Sequence, residues 1–269
     1  MPRPESGAVP ARLQLQPRST PFPQLHLHII FYKDYFIAFL AYEITTMSDD
    51  PIVKKVVTNE ADYWNSFYDH KFSVGVPSQF CCLVAIEAPK TRPFVEFGCG
   101  NGRDSKYIAS QGFCVYSGDL SDKAVDILQK DASPNATYSV CDVSKAEHVK
   151  VLVDQARAGA DASDNFNLTM YNRFFMHALD TQQETLYLEA LSSATKSGDT
   201  LYMEYRCSLD EALDKEHGKG HYRRYVHTDK LVDLLKSLNF TIKYEITGQG
   251  MAKYKSEDPF VSRIICERN

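Results

Sequence analysis

Three glycines at alternate positions, Gly98, Gly100 and Gly102, follow the apolar run Phe94-Val95-Glu96-Phe97. After them Arg103-Asp104-Ser105 opens a segment that continues with Tyr107, Ile108 and Gln111 at helical spacing. The order is strand, tight turn, helix. Glycine reaches backbone conformations that other residues avoid and lets the chain come close to a ligand, while a helix N-terminus presents N–H groups with no partner inside the helix. A lone G-x-G would suit an ordinary connection. With a strand before it, a helix after it and Glu96 two residues ahead of Gly98, this turn reads as a ligand-binding loop.

The spacing narrows the ligand. A dinucleotide fingerprint requires G-x-G-x-x-G/A, and counted from Gly98 its last position is Arg103, so the pattern fails where helix and strand should pack closest. The form Glu96-x-Gly98-x-Gly100-x-Gly102 instead resembles motif I of the class I S-adenosylmethionine (SAM)-dependent methyltransferases. The longer run Gly98-Cys99-Gly100-Asn101-Gly102-Arg103-Asp104-Ser105 is similar to the subgroup of small-molecule methyltransferases that includes the tellurite-resistance type. The resemblance runs from about Tyr63 to the C-terminus. It implies SAM as cofactor, held in part by Glu96, Gly98, Cys99, Gly100, Asn101 and Gly102.

At 269 residues the chain has room for one large α/β domain or two small ones. A net charge of −5 argues against duplex nucleic acid as the main partner, because phosphate binding needs clustered Lys and Arg. The seven cysteines are scattered and form no C-x-x-C pair. That pattern predicts a reducing compartment such as the cytoplasm, with neither a disulfide scaffold nor a metal site.

Residues 1–46 differ from the rest. Six prolines between Pro2 and Pro23 oppose regular structure. The apolar stretch His26 to Tyr42 is interrupted by Lys33 and Asp34, whereas a membrane span needs roughly 20 apolar residues without central charges. No stable membrane insertion is expected. A disordered or upstream-initiated extension, a surface-packed helix and a targeting or membrane-associating segment, including an organellar transit peptide, all remain open. Met47 is a plausible alternative start, and residues 47–269 are expected to form the whole catalytic domain without the extension.

Within that domain, Tyr63, Trp64, Phe67 and Tyr68 recur at three and four residues and predict an aromatic helix face between Asn59 and Lys71. By resemblance such a segment covers the cofactor and part of the substrate, so Tyr63 and Trp64 are candidate substrate residues; core packing is the plainer reading. Ser78 to Glu87 reads as a second helix. Cys114 to Gly118 reads as a second strand ending at Asp119-Leu120, roughly twenty residues past the loop, where an acid can accept both hydroxyls of a ribose. Ser121 is placed to cap the next helix, with Ala124, Val125 and Leu128 inward. A third strand ends at Cys141-Asp142-Val143, and the resemblance puts Asp142 against an adenine amino group and the Val143 N–H against its ring. Ser144 to Glu147 and Thr181 to Glu184 both read as capping boxes. The second of these helices would turn Leu186, Tyr187, Ala190 and Leu191 inward.

Phe166 to Tyr171 reads as the fourth strand, followed by Asn172-Arg173-Phe174-Phe175-Met176-His177. This segment resembles the family's arginine-aromatic-aromatic-x-histidine pattern, while Asn167 departs from the Asp that related enzymes commonly carry. The Asn/Asp-Pro-Pro-Tyr motif of amide or base nitrogen methylation is absent. Tyr171 is a candidate cofactor contact, and Arg173, at the carboxyl end of a central strand, a candidate catalytic residue. A fifth strand, Thr200 to Tyr205, leads into a polar insert, Ser208 to about His227. Its His221, Tyr222, Arg223 and Arg224 are candidates for one wall of the substrate site, an arginine there holding a carboxylate or phosphate. Thr228 is placed to cap a helix with Leu231, Leu234, Leu235 and Leu238 inward, and two strands close the chain.

The element order predicts a doubly wound, seven-stranded Rossmann-like sheet with its last strand antiparallel. The expected reaction is transfer of a methyl group from SAM to an oxygen or nitrogen of a small molecule or sugar, possible anionic acceptors included. His221 and His177 are the candidate bases. A non-catalytic SAM-binding sensor or partner subunit, and a nucleotide-dependent oxidoreductase, are the alternatives. Oligomeric state is not legible.

Overall fold

The computed structural model describes residues 60–70, 75–159, 166–215 and 222–269. All of them fall in one compact unit, Val57–Asn269. The proposed boundary at residue 47 and the histidine-rich part of the insert, His217 and His221 included, lie outside the described residues. Two helices, α1 (Glu60–His70) and α2 (Gln79–Glu87), precede strand β1 (Phe94–Phe97). Then α3 (Arg103–Ser110), β2 (Val115–Asp119), α4 (Asp122–Lys130), β3 (Ala136–Val140) and α5 (Ala146–Ala158) complete the first half. The second half runs β4 (Thr169–Arg173), α6 (Thr181–Ala194), β5 (Thr200–Arg206), α7 (Thr228–Ser237), β6 (Phe240–Gly248) and β7 (Val261–Arg268).

The seven strands order as β3-β2-β1-β4-β5-β7-β6. Neighbours from β3 to β5 are parallel, and β7 is antiparallel to both β5 and β6. The strand order reverses at β1, which lies between β2 and β4, so the carboxyl ends of β1 and β4 open a crevice where ligands collect in such sheets. Side chains alternate across β1: Val95 and Phe97 enter the core shared with α5, α6 and α7, and Phe94 enters the core shared with α2 and α3. Both faces are therefore covered, as a parallel sheet requires. No helix among the described residues is long and apolar enough to cross a membrane.

Helix starts differ from the sequence reading at three places, each because a better oxygen was nearby. Ser121 caps α4 as expected, accepting the Ala124 N–H. The α6 box is formed by Asp180 and Gln183, one residue before Thr181-Glu184, since a carboxylate at that position is a stronger acceptor than the Thr hydroxyl. Ser144 caps nothing; both its N–H and its hydroxyl go to Asp142 Oδ1, and α5 starts at Lys145 without a side-chain cap. Thr228 turns its hydroxyl to Ser262 and leaves the cap position to His227. On α6, Leu186 is exposed while Tyr187, Ala190 and Leu191 are buried. Strand β4 begins three residues later than predicted and takes in Asn172 and Arg173. Asn167 therefore lies before the strand, at the sheet end opposite the crevice.

Asp104, in the first turn of α3, ties three elements together. Its Oδ1 accepts the Ser78 N–H at 2.8 Å, and its Oδ2 accepts the Ser78 hydroxyl and the Tyr171 hydroxyl, each at 2.7 Å. Ser78 caps α2 and Tyr171 is fully buried on β4, so one carboxylate joins α2, α3 and the sheet. Hydrogen bonds to a buried charge contribute roughly 1.5–3 kcal/mol each, and orphaned donors add a penalty. Asp104→Ala is expected to lower unfolding free energy by about 3–5 kcal/mol in urea titration. A loss below about 1 kcal/mol, the scale of an ordinary surface change, would contradict this joint.

Candidate active site at the carboxyl end of β1 and β4

The glycine loop adopts left-handed backbone at Gly98 (φ +74°) and Gly100 (φ +54°), which L side chains rarely adopt. Space is also closed to larger residues: a Cβ on Gly98 would run into the Phe175 ring, and one on Gly100 into the Tyr68 hydroxyl. The loop therefore turns tightly beneath two aromatic side chains, Tyr68 from α1 and Phe175 from the segment after β4. Both line the cleft, with Trp64 beside them.

Asp119, the last residue of β2, holds this loop in place. Its Oδ2 accepts the Gly100 N–H at 2.8 Å and its Oδ1 accepts the Ser121 N–H at 2.9 Å. Burial pushes its carboxyl up from the ordinary value, and the N–H groups of Ser121, Gly100 and Leu120 oppose that shift. Each carboxylate oxygen keeps a further lone pair. Ser121 extends the joint, since its hydroxyl meets Asn65 Oδ1 of α1 at 2.6 Å. Across the cleft, Asp142 lies in a turn that Ser144 closes. Desolvation acts to raise its carboxyl, but the Ser144 hydroxyl and N–H and the neighbouring Lys145 outweigh it and hold the group below the usual range.

Of the residues singled out in the sequence, Gly98, Asp119, Leu120, Asp142, Val143 and Trp64 face one cleft. Glu96 lies beneath the loop, nearly fully buried, with the Ser117 hydroxyl donating to it at 3.4 Å. Asn101 caps locally, its Oδ1 accepting the Arg103 N–H at 3.3 Å, and Cys99 is buried in the core under α3. Tyr171 is outside the cleft, fully committed to Asp104 and Ser78 on the α2 face. Arg173 is likewise not a lining residue; its Nε donates to Glu204 at 2.7 Å. His177 is buried, and its Nδ1 accepts the Arg206 N–H at 3.2 Å, which suits a positioning residue better than a base. Tyr63 packs edge-on against Trp64. Tyr222 is exposed.

Arg223 lies near enough to Tyr63 for its charge to act on that hydroxyl. Arg224 is a structural pin: its N–H donates to the His177 carbonyl, and its guanidinium is spread over the Leu179 and Met176 carbonyls and the Glu184 carboxylate. It fastens the end of the insert onto the short helical turn Met176–Ala178 and α6, beside the cleft-lining Ala178 and Leu179. The sequence reading missed Tyr68, Phe174, Phe175 and Gln183 as cleft residues. Their signals were present as an aromatic helix face and an aromatic pair, but nothing local says which aromatic side chain faces a ligand.

The buried Glu96 carboxyl carries a pH consequence. Burial first, and the nearby Asp104 charge second, push it up to about 8 from an ordinary 4.5. The folded state thus holds a proton that the unfolded chain has released, and stability falls as pH rises from about 4.5 to about 8. Glu96→Gln keeps the shape without the charge. Urea midpoints of the cofactor-free protein should fall less steeply between about pH 5 and about pH 8 in the variant than in the unaltered chain. Equal slopes would show that Glu96 titrates normally.

Comparison with known proteins bears on this geometry. Residues 58–156 match the family model described as Tellurite resistance protein TehB. The sequence matches no curated protein. A SAM-dependent methyltransferase from Anabaena variabilis aligns at TM-score 0.60 and 17% identity, over 78% of this chain and 96% of that one. A TehB-like SAM-dependent methyltransferase from Corynebacterium glutamicum aligns at TM-score 0.51 and 15% identity, over 78% and 96% of the two chains. The magnesium protoporphyrin IX methyltransferase of Synechocystis, solved with bound SAH, aligns at TM-score 0.54 and 15% identity, over 78% and 98%. The chain therefore has the fold of the SAM-dependent methyltransferases, and across the stretch holding its glycine loop, Asp119 and Asp142 it matches the TehB family model.

Proposed function

We propose that the cleft binds SAM and that the protein transfers its methyl group to an oxygen or nitrogen of a small molecule. The observation that carries this reading is the set Gly98, Asp119 and Asp142, which line one cleft at the point where the strand order reverses. The donor set suits a nucleoside with a cationic tail. Asp119 has lone pairs left for ribose hydroxyls, Asp142 and the Val143 N–H are available to an adenine edge, and Gly98 lets the chain turn tightly at the cleft wall. The match to the TehB family model supports the same assignment.

SAM bound there would supply a methyl group activated by its sulfonium sulfur, with S-adenosylhomocysteine as the leaving group. What the chain contributes is alignment and exclusion of water. Trp64 and Phe175 cover the cleft, and Tyr68 packs on Gly100. The acceptor would approach from the side of Phe174 and the segment pinned by Arg224, with Tyr63 and Arg223 nearby.

Calorimetry with S-adenosylhomocysteine (SAH) and with NAD tests the assignment. SAH should bind and NAD should not, and Asp119→Ala should weaken SAH binding by about 1–3 kcal/mol through unpaired hydrogen bonds. NAD binding in place of SAH would overturn the reading in favour of an oxidoreductase, and unchanged SAH affinity in the variant would remove Asp119 from the site.

A further inference from the structure

Beside the cleft, two guanidinium groups share one buried carboxylate. Glu204 on β5 is fully buried and accepts from Arg173 Nε through Oε1 and from Arg263 Nε through Oε2, both at 2.7 Å. Register explains the row. Arg173 is paired with Glu204 across β4 and β5, and Glu204 with Arg263 across β5 and β7, so all three side chains leave the same face of adjacent strands. Each arginine meets Glu204 through Nε alone. Among the described residues neither terminal nitrogen of Arg173 has a partner, and Arg263 commits one, Nη2, to the Met251 carbonyl at 2.8 Å. The remaining terminal nitrogens are not sealed from solvent, since the two side chains are 14% and 11% exposed and contribute no buried unpartnered atom.

Among the described residues Glu204 is the acid bonded directly to both arginines. Asp104 also acts on Arg173 through its charge, although its hydrogen bonds go to Ser78 and Tyr171 and Arg103 lies 3.9 Å away. Asp210 and Glu257 are taken by Arg206 at 2.8 and 2.7 Å, with Lys215 also on Asp210. What the row leaves open is donor capacity, and charged donors are costly to leave unpaired. The position is next to the chemistry as well. Arg173 lies 4.1 Å over the ring of Phe174, and Phe174 lines the cleft. Phe174 also keeps a positive φ of 52°, an uncommon conformation for a bulky residue, held by its N–H on the Glu204 carbonyl. One aromatic ring is thus a common wall of the cofactor cleft and the arginine pair.

We propose that Arg173 and Arg263, oriented by Glu204, bind a carboxylate on the methyl acceptor, which makes that acceptor a small carboxylic acid. The inference rests on the methyltransferase reading above. A planar monoanion matches the open edges of the two guanidinium forks. A phosphate dianion would bring a second negative charge toward the Glu204 carboxylate.

The test uses the full chain, with and without saturating SAH, and follows binding of benzoate, its neutral analogue benzamide, and phenyl phosphate by ligand-observed NMR. Benzoate should bind roughly tenfold or more tightly than benzamide, the range expected of hydrogen bonds to a charged group. Arg173→Lys and Arg263→Lys keep an ion pair with Glu204 and lose the free terminal nitrogens; each should erase most of that preference while SAH affinity stays within about twofold. Equal binding of benzoate and benzamide, no benzoate binding, or a preference that survives both substitutions would overturn the proposal. Tighter binding of phenyl phosphate would replace the carboxylate with a phosphate. Should the unaltered protein fail to bind SAH, the cofactor reading fails separately, and the arm without SAH still decides the anion site.

Discussion

Much of the site hangs on the Asp119 carboxylate. It receives N–H groups from Gly100 and Ser121 on its two oxygens, joining the loop after β1 to the start of α4. Ser121 then caps α4 and meets Asn65 of α1, so the aromatic cover is fastened to the same point. Each bond to a buried charged acceptor is of the order of 1.5–3 kcal/mol, enough to hold a loop whose glycines would otherwise be among the most costly residues to order. Burial alone would favour the neutral acid; the convergent N–H groups favour the carboxylate. The site is preorganised by the same contacts that form its floor.

The opposite side of the crevice is built on different principles. There the chain spends buried charge: Arg173, Glu204 and Arg263 in one row, and Arg206 with Asp210 and Glu257 in another. Such pairs seldom stabilise a fold more than well-packed apolar residues would, because desolvation offsets their attraction. Their concentration at the carboxyl ends of β4 and β5, around a strained Phe174, fits recognition better than stability. At the amino-terminal end of β4 a buried carboxylate is also paired, since Asp199 meets Arg157 and accepts the Leu168 N–H at 2.8 Å, but this end lies away from the cleft and Asn167 there lies against Gly198.

What could be read from the sequence was what is local. The strand, loop and helix from Phe94 to Ser110 lie within one stretch, and Asp119 and Asp142 follow at strand ends whose spacing the fold dictates. The seven strands and the antiparallel last strand followed from the order of elements and the family resemblance. Capping failed where a competing acceptor stood one residue away, as at Asp180, or where a hydroxyl found a tertiary partner, as Thr228 did in Ser262. Roles that depend on distant partners were illegible. Glu204 and Arg263 are 59 residues apart, and Tyr171 is 67 residues from the carboxylate that occupies its hydroxyl. As neighbours, Arg223 and Arg224 had to point different ways, but which of them is committed to structure was not legible; Arg224 is consumed by carbonyls and Glu184.

The central claim is that this cleft does chemistry on the cofactor rather than merely holding it. The most direct measurement is mass spectrometry of a metabolite extract incubated with the protein and SAM carrying an isotopically labelled methyl group. The account predicts SAH release together with one or more small acids that gain the labelled methyl on oxygen or nitrogen, and neither product with heat-denatured protein. SAH binding without any label transfer across extracts would contradict it and leave a SAM-binding sensor in its place.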